Sequence, residues 1–306
     1  MTKILVATEK PFAAEAVENI KVITEKAAYE FALLEKYTDK SELIEAVADA
    51  DALIIRSDKV TPEVIEAGKN LKIVVRAGAG YDNVDLESAT KNDVVVMNTP
   101  GQNSNAVAEL AIGMMVYLAR GTFNGKAGTE LKGKTIGIHA YGNVGRYVAG
   151  IAKGFGMKIF AFDPFIEKSE IEKDGVTVVD SAEELYNSCQ YISLHIPSNE
   201  KTKESINFDL LSKMPKNAVL VNTARKEVVC EESLMKVFAD RDDFKYISDV
   251  APVCAKEIES KYEGRFYFTP KKMGAQTNEA NVNAGVAAIN QIVGFIEKGD
   301  ITFKVN

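Results

Sequence analysis

Thr135-Ile136-Gly137-Ile138-His139-Ala140-Tyr141-Gly142-Asn143-Val144-Gly145-Arg146 is the stretch on which the reading of this 306-residue chain turns. A short apolar strand pattern runs into a glycine-bearing turn, Ala140 to Gly145, with G-x-G-x-x-G spacing and alanine in the first place. An amphipathic helical pattern, Val144 to Phe155, follows. A second strand pattern, Lys158 to Phe162, then ends at Asp163, 18 residues after Gly145. This order and spacing are those of a dinucleotide-binding βαβ unit. There Gly142 lets the backbone approach a pyrophosphate resting on the helix N-terminus, and Tyr141, Asn143 and Val144 complete the loop. Gly145 permits close helix–strand packing. Asp163 offers a carboxylate to the adenosine ribose hydroxyls, and its charge disfavours a 2′-phosphate, so the expected cofactor is NAD rather than NADP. Ala140 is expected to cost little provided that its φ is negative.

Outward from this unit, β-rich runs recur at Lys3 to Ala7, Ala52 to Arg56, Lys72 to Arg76, Val94 to Asn98, Tyr191 to Leu194, Ala218 to Asn222 and Tyr246 to Ser248. Helical patterns lie between many of them: Thr61 to Gly68, with Thr61 as a capping residue and Pro62 in the first turn, Glu183 to Ser188, and Glu231 to Arg241. Nearly continuous apolar strands alternating with helices predict an α/β fold with doubly wound parallel sheets covered on both faces. One set of units spans roughly 1 to 98 and another roughly 130 to 270. A long helix pattern, Asn103 to Arg120, and a glycine-rich stretch separate them, and a last helix, Asn278 to Lys298, comes after the second set.

Composition narrows the function. Hydrophobic residues make up 46 % and charged residues 26 %, an ordinary globular balance. Lys plus Arg number 37 against 44 Asp plus Glu, a net charge of −7, which argues against nucleic acid held by bulk charge. The three cysteines, Cys189, Cys230 and Cys254, form no C-x-x-C pair, so neither a metal site nor a disulfide framework is expected. The segment Val107 to Leu118 is too short to span a bilayer and contains Glu109. With no signal or transit pattern at the start, the expected location is the cytosol.

The motifs taken together resemble the D-isomer-specific 2-hydroxyacid dehydrogenases. They are Arg56-Ser57, Val75 to Asp85, Asn98-Thr99-Pro100-Gly101, Val107 to Leu110, Ser193-Leu194-His195-Ile196-Pro197 and Val221-Asn222-Thr223-Ala224-Arg225. The resemblance covers nearly the whole chain and is greatest to short D-3-phosphoglycerate dehydrogenases without a C-terminal regulatory domain. It implies a Rossmann cofactor domain, residues 100–277, inserted in a flavodoxin-like substrate domain, residues 1–99 plus 278–306. It implies that Arg225 holds the substrate carboxylate and carbonyl, as a bidentate guanidinium can. It places Arg56, Ser57, Ala79, Gly80 and Asn103 at the substrate, and His195, Pro197, Thr202, Thr223, Asp249 and Gly274 on the cofactor. It further implies a homodimer formed through the long helix and glycine-rich arm, and oxidation of 3-phosphoglycerate in the first step of phosphorylated serine biosynthesis. A hydroxypyruvate or glyoxylate reductase and a non-catalytic NAD-sensing protein are the rivals.

The sequence departs from the family at the acid–base centre. The usual Pro-His-x-Gly-Ala is here Pro270-Lys271-Lys272-Met273-Gly274-Ala275, and Cys254 stands where relatives carry the Glu that pairs with the histidine. His139 and His195 are the only histidines, and neither has the catalytic context. Lys272 is therefore expected to be the proton donor and acceptor, partly desolvated near Arg225, with Lys271 as its rival and Glu257 as a possible substitute carboxylate.

Overall fold

Runs of four to six Val, Ile and Leu residues are too short for a helix and can be buried on both faces only as strands with helices above and below. The computed structural model describes residues 1–306. Its elements begin β1 (Lys3–Thr8), α1 (Ala14–Lys26), β2 (Glu30–Glu35), α2 (Lys40–Val47), β3 (Ala52–Ile55), α3 (Pro62–Ala67), β4 (Ile73–Arg76), α4 (Leu86–Lys91) and β5 (Val95–Asn98). They continue α5 (Ser104–Ala119), β6 (Thr135–His139), α6 (Asn143–Gly154), β7 (Lys158–Phe162), α7 (Lys168–Glu172), β8 (Thr177–Val178), α8 (Ala182–Ser188) and β9 (Tyr191–Leu194). The last are α9 (Phe208–Leu211), β10 (Val219–Asn222), α10 (Glu231–Asp240), β11 (Lys245–Ser248), α11 (Ala255–Lys261), β12 (Phe266–Phe268) and α12 (Asn278–Lys298). The chain divides into two units, Met1–Asn103 with Gln276–Asn306, and Ser104–Ala275.

The first unit carries a five-stranded parallel sheet in the order β2-β1-β3-β4-β5, which is flavodoxin-like, with the strand order reversing between β1 and β3. Ile4, Val6, Ile54, Ile73 and Val75 face α1 and α12, whose Ile20, Ala284, Ala288 and Ile292 complete that core. A Cβ on Gly285 would come 3.0 Å from Ile20, so the small residue sets how closely α12 lies on α1. Gln291 Nε2 donates to the Asn98 carbonyl at 3.0 Å, tying α12 to the end of β5.

The second unit is a seven-stranded parallel sheet, β12-β11-β10-β9-β6-β7-β8, the Rossmann order with two strands read outward from β6 on one side and four on the other. Met114, Met115 and Leu118 of α5 pack with Val148 and Ala152 of α6 on one face. Leu185, Tyr186, Leu234 and Phe238 of α8 and α10 cover the other.

The structure adds to and corrects the sequence reading in a few places. Strands β2, β8 and β12, not among the expected strands, are the edge strands of the two sheets; β2 carries the apolar run Phe31 to Leu34 but is only half-buried there, with Leu33 exposed. The units divide at 103/104 and 275/276, close to the expected 99/100 and 277/278. Thr61 occupies the cap position of α3, but its hydroxyl donates to Glu63 at 2.6 Å and makes no cap bond.

The Ala140 expectation fails. Its φ is +76°, and its N–H donates to the Phe162 carbonyl at 2.9 Å. The start of α6 forces the reversal: a Cβ on Gly145 would stand 2.4 Å from the Ala140 oxygen, so the helix must begin directly beneath that carbonyl. An alanine in the left-handed region is strained by about 1–2 kcal/mol. Ala140→Gly is therefore expected to raise unfolding stability by about 0.5–1 kcal/mol, after allowing for the looser unfolded chain. Urea denaturation should show a higher midpoint; an unchanged or lower one would mean that alanine is unstrained there.

Candidate cofactor and active-site residues

At the carboxyl end of β6 the predicted nucleotide residues come together. Tyr141 N–H donates to Asp163 Oδ2 at 2.8 Å, and Phe165 N–H donates to Oδ1 at 2.8 Å, so the carboxylate at the end of β7 is anchored to both loops. A Cβ on Gly142 would meet nothing within 4 Å, and the first turn of α6 has no side-chain cap. Asn143 is exposed and Val144 half-buried beside it. Tyr141 is fully buried, its hydroxyl on Asp174 at 3.0 Å. Backbone donors with open space in front and a carboxylate one strand over fit a dinucleotide's pyrophosphate and ribose. Thr223, at the end of β10, adds a buried hydroxyl with no hydrogen-bond partner in the chain.

The other cofactor-side residues lie along the same unit. His195 follows β9, half-buried, its Nε2 2.9 Å from the Ser193 hydroxyl. Thr202 donates to the Pro197 carbonyl at 2.6 Å and closes that turn, which joins those two residues. His139 is buried against Tyr186, with its Nδ1 3.2 Å from the hydroxyl, and against Phe162. Burial depresses both imidazoles, His139 to about 4 and His195 to about 3.

Arg225 follows β10, half-buried, on a turn built by Asn222. Asn222 Nδ2 donates to the Arg225 carbonyl at 3.0 Å and to Tyr246 Oη at 3.2 Å, and its Oδ1 accepts from Ala224 N–H at 3.0 Å. Asn222 stood in the motif without a role; the buried polar side chain after an apolar strand was the signal.

Asp249 is the centre of the third loop. Only 2 % exposed, its carboxylate accepts from Met273 N–H at 2.9 Å, Gly274 N–H at 2.8 Å and the Thr269 hydroxyl at 3.1 Å. A Cβ on Gly274 would stand 2.9 Å from that carboxylate. Asp249 thereby fixes the segment that carries Lys271 and Lys272, both of which are exposed, so the partial desolvation expected for Lys272 is not present. Glu257 does not replace the missing carboxylate: it is exposed on α11 and paired with Lys261 at 2.6 Å. Glu231 of α10 instead accepts the N–H groups of Val253 and Cys254 at 2.7 and 2.8 Å. Burial and that carboxylate push the Cys254 thiol up to about 12, which keeps it a neutral packing group.

In the first unit, Asp58 plays the part that Asp249 plays in the second. It is 3 % exposed and accepts from Glu9 N–H at 2.6 Å, Tyr37 Oη at 2.8 Å and Arg56 N–H at 3.1 Å. Arg56 lies over Phe12, 5.1 Å from the ring centroid, and its carbonyl accepts from Arg76 Nε at 2.9 Å. Arg76 was not singled out in the sequence. Its guanidinium crosses Gly78, where a Cβ would stand 1.6 Å from Nη1, and the Gly78 φ of +151° is one that residues with side chains rarely adopt. Ser57 and Ala79 are exposed, Gly80 and Asn103 half-buried.

Residues 106–261 match the family described as D-isomer specific 2-hydroxyacid dehydrogenase, NAD binding domain. The chain belongs to the D-isomer-specific 2-hydroxyacid dehydrogenases. Hydroxypyruvate reductase of Thermotoga maritima is 37 % identical over 285 residues, 86 % of this chain and 90 % of that protein. D-3-phosphoglycerate dehydrogenase of Methanocaldococcus jannaschii is 40 % identical over 215 residues, 66 % of this chain but 41 % of that protein. The chain spans about half the length of the curated phosphoglycerate dehydrogenases that it matches. A crystal structure of NAD+-bound 3-phosphoglycerate dehydrogenase from Entamoeba histolytica superposes with a TM-score of 0.90 at 49 % identity, covering 100 % of this chain and 98 % of that one. This dehydrogenase uses NAD. No helix is long and apolar enough to cross a membrane.

The buried His139 imidazole takes up a proton near pH 6.5 only when unfolded. Its contribution to stability is complete above that pH and declines as pH falls toward 4, by about 3 kcal/mol. His139→Ile should flatten the acid limb of stability between pH 6.5 and 4 in denaturant titrations; an unchanged limb would assign it elsewhere. Asp249→Asn turns an amide NH2 toward one of the two backbone N–H groups, which loses its acceptor, with an expected loss of about 1–3 kcal/mol and a fall in kcat of at least tenfold. Retention of both stability and kcat would show that the carboxylate is not what holds the 269–274 loop.

Proposed function

We propose that the chain is an NAD-dependent D-3-phosphoglycerate dehydrogenase that oxidises the C2 hydroxyl to the ketone of 3-phosphohydroxypyruvate, opening a phosphorylated route to serine. The observation that carries this reading is the full-length likeness to the Entamoeba histolytica enzyme at 49 % identity. Arg56, whose guanidinium lies over Phe12, and Arg76, whose Nε donates to the Arg56 backbone carbonyl, put two cationic residues on neighbouring strand ends, which supports a substrate with a phosphate end. Bound NAD supplies the two-electron chemistry, taking up a hydride in oxidation and returning it in reduction. Arg225 pairs with the substrate carboxylate and stabilises charge on the C2 oxygen. Lys272, as a neutral amine, takes the hydroxyl proton in oxidation and, as an ammonium, returns it in reduction. An amine needs no partner carboxylate to orient it, which fits a chain with Cys254 at the usual Glu position.

Lys272→Met should lose at least tenfold, and up to about 10⁴-fold, in kcat, with the rise of the oxidation rate toward alkaline pH abolished. Lys271→Met should keep both. A Lys272→Met enzyme with more than a tenth of wild-type kcat would remove Lys272 from the proton transfer.

The second reading is a hydroxypyruvate reductase, favoured by the Thermotoga maritima relative, which this chain covers almost end to end. The two separate on kcat/KM: the first expects 3-phosphohydroxypyruvate to exceed hydroxypyruvate, and Arg56→Met to erase that preference. Equal rates with both acids would favour the reductase.

We also propose a homodimer through α5 and the arm after it. Thr122 and Phe123 hold left-handed backbone there, and the Phe123 ring is 67 % exposed, an apolar surface for a second copy to cover. Sedimentation showing only a 33.4 kDa species would refute it. The free thiols of all three cysteines fit a reducing cytosol.

A further inference from the structure

Two lysines stand at the opposite end of the second unit's sheet from the nucleotide loop. Register pairs Ile136 with Tyr191, Tyr191 with Val219, and Val219 with Lys245, so these four side chains share one face. Lys134, two residues before Ile136, falls on the same face. With strands about 4.8 Å apart, Lys134 and Lys245 flank a floor of Tyr191 and Val219. The pocket there has a volume of about 160 Å³, and Leu118 of α5, Gln190 and Asn217 line its walls, with Gln190 Nε2 donating one N–H to the Asn217 carbonyl at 3.0 Å.

Neither ammonium has a carboxylate within ion-pair distance. Lys134 Nζ lies 6.0 Å from the Tyr191 ring centroid. Asp243, the acid beside Asn217, is already bound by Arg241 at 2.7 Å and by Asn217 N–H at 2.5 Å. Burial, with the charge of Lys245, lowers the Lys134 pKa. A chain of net charge −7 therefore holds two cations together with no counter-charge, in a concave site whose apolar floor strengthens their field. The volume is well under the roughly 300 Å³ at which ordinary ligand pockets begin, so the site suits an ion-sized guest.

We propose that this pocket binds a phosphate dianion, either free or at the end of a small metabolite, between Lys134 and Lys245. The dianion balances both ammonium groups, and its remaining oxygens face the Gln190 and Asn217 amides. The site is separate from the cofactor loop, since Lys134 precedes β6 and Ala140 to Gly145 follow it.

The test is calorimetric titration of the full chain with inorganic phosphate, at ionic strength held constant with chloride. It is done for the wild type, Lys134→Met, Lys245→Met and Arg56→Met. Arg56→Met removes the cation assigned to the substrate's phosphate end and should leave this binding intact. Either lysine substitution should weaken it at least tenfold, with NAD affinity and circular dichroism unchanged as the check on folding. Glycerol phosphate binding more tightly than inorganic phosphate assigns the site to a metabolite's phosphate, and the reverse order to the free ion. No binding beyond that lost in Arg56→Met, or equal binding by both lysine variants and wild type, overturns the proposal.

Discussion

Loops at the carboxyl ends of parallel strands carry backbone N–H groups that no neighbouring strand can satisfy, and this protein settles them with carboxylates. Asp58 follows β3, Asp163 follows β7 and Asp249 follows β11, and each accepts two or three donors, at least one of them from a loop remote in sequence. A charged acceptor in a buried site makes stronger bonds than a neutral one, and each lost bond leaves an unpaired group. The loops that carry Arg56, the nucleotide turn and Lys272 are therefore held by charge as well as by packing. Glu231 repeats the device from a helix start, on the N–H groups of Val253 and Cys254.

Close backbone approach is the second constraint. Gly145 lies against the Ala140 carbonyl and Gly78 against the Arg76 guanidinium, so in both units the absence of a Cβ lets a functional loop fold onto its own strand. At Ala140 the same closeness imposes a left-handed turn on a residue that disfavours it. That strain sits where the glycine-bearing turn between β6 and α6 begins, on the reading proposed here the start of the nucleotide loop.

On the proposed reading, Lys272 stands where relatives carry histidine, and this changes what surrounding groups must do. An imidazolium needs a carboxylate behind it; a lysine ammonium carries its charge on a flexible stem and needs a fixed backbone beneath it. The Thr269 to Gly274 segment has that support in Asp249, and Cys254, where the resemblance expects Glu, is a thiol kept neutral by burial and by Glu231.

Much of this was legible in the residues alone. The βαβ unit, the parallel sheets, α12 from Asn278 to Lys298, and the nucleotide turn ending at Asp163 are written in local apolar runs, glycine spacing and strand length. Those signals are local, because a backbone can satisfy them within about thirty residues. Edge strands β2 and β12 escaped although Phe31 to Leu34 and Phe266 to Phe268 are apolar runs, since periodicity alone does not tell so short a run from a piece of helix or loop. The donors gathered by Asp58 and Asp249, the Arg76 contact with Arg56, the Glu231 bonds and the sign of φ at Ala140 were decided only by the tertiary structure. Each joins groups from separate loops or depends on an atom brought close by packing. Such distances exist only once the strands are in register, and no pattern along the chain encodes them.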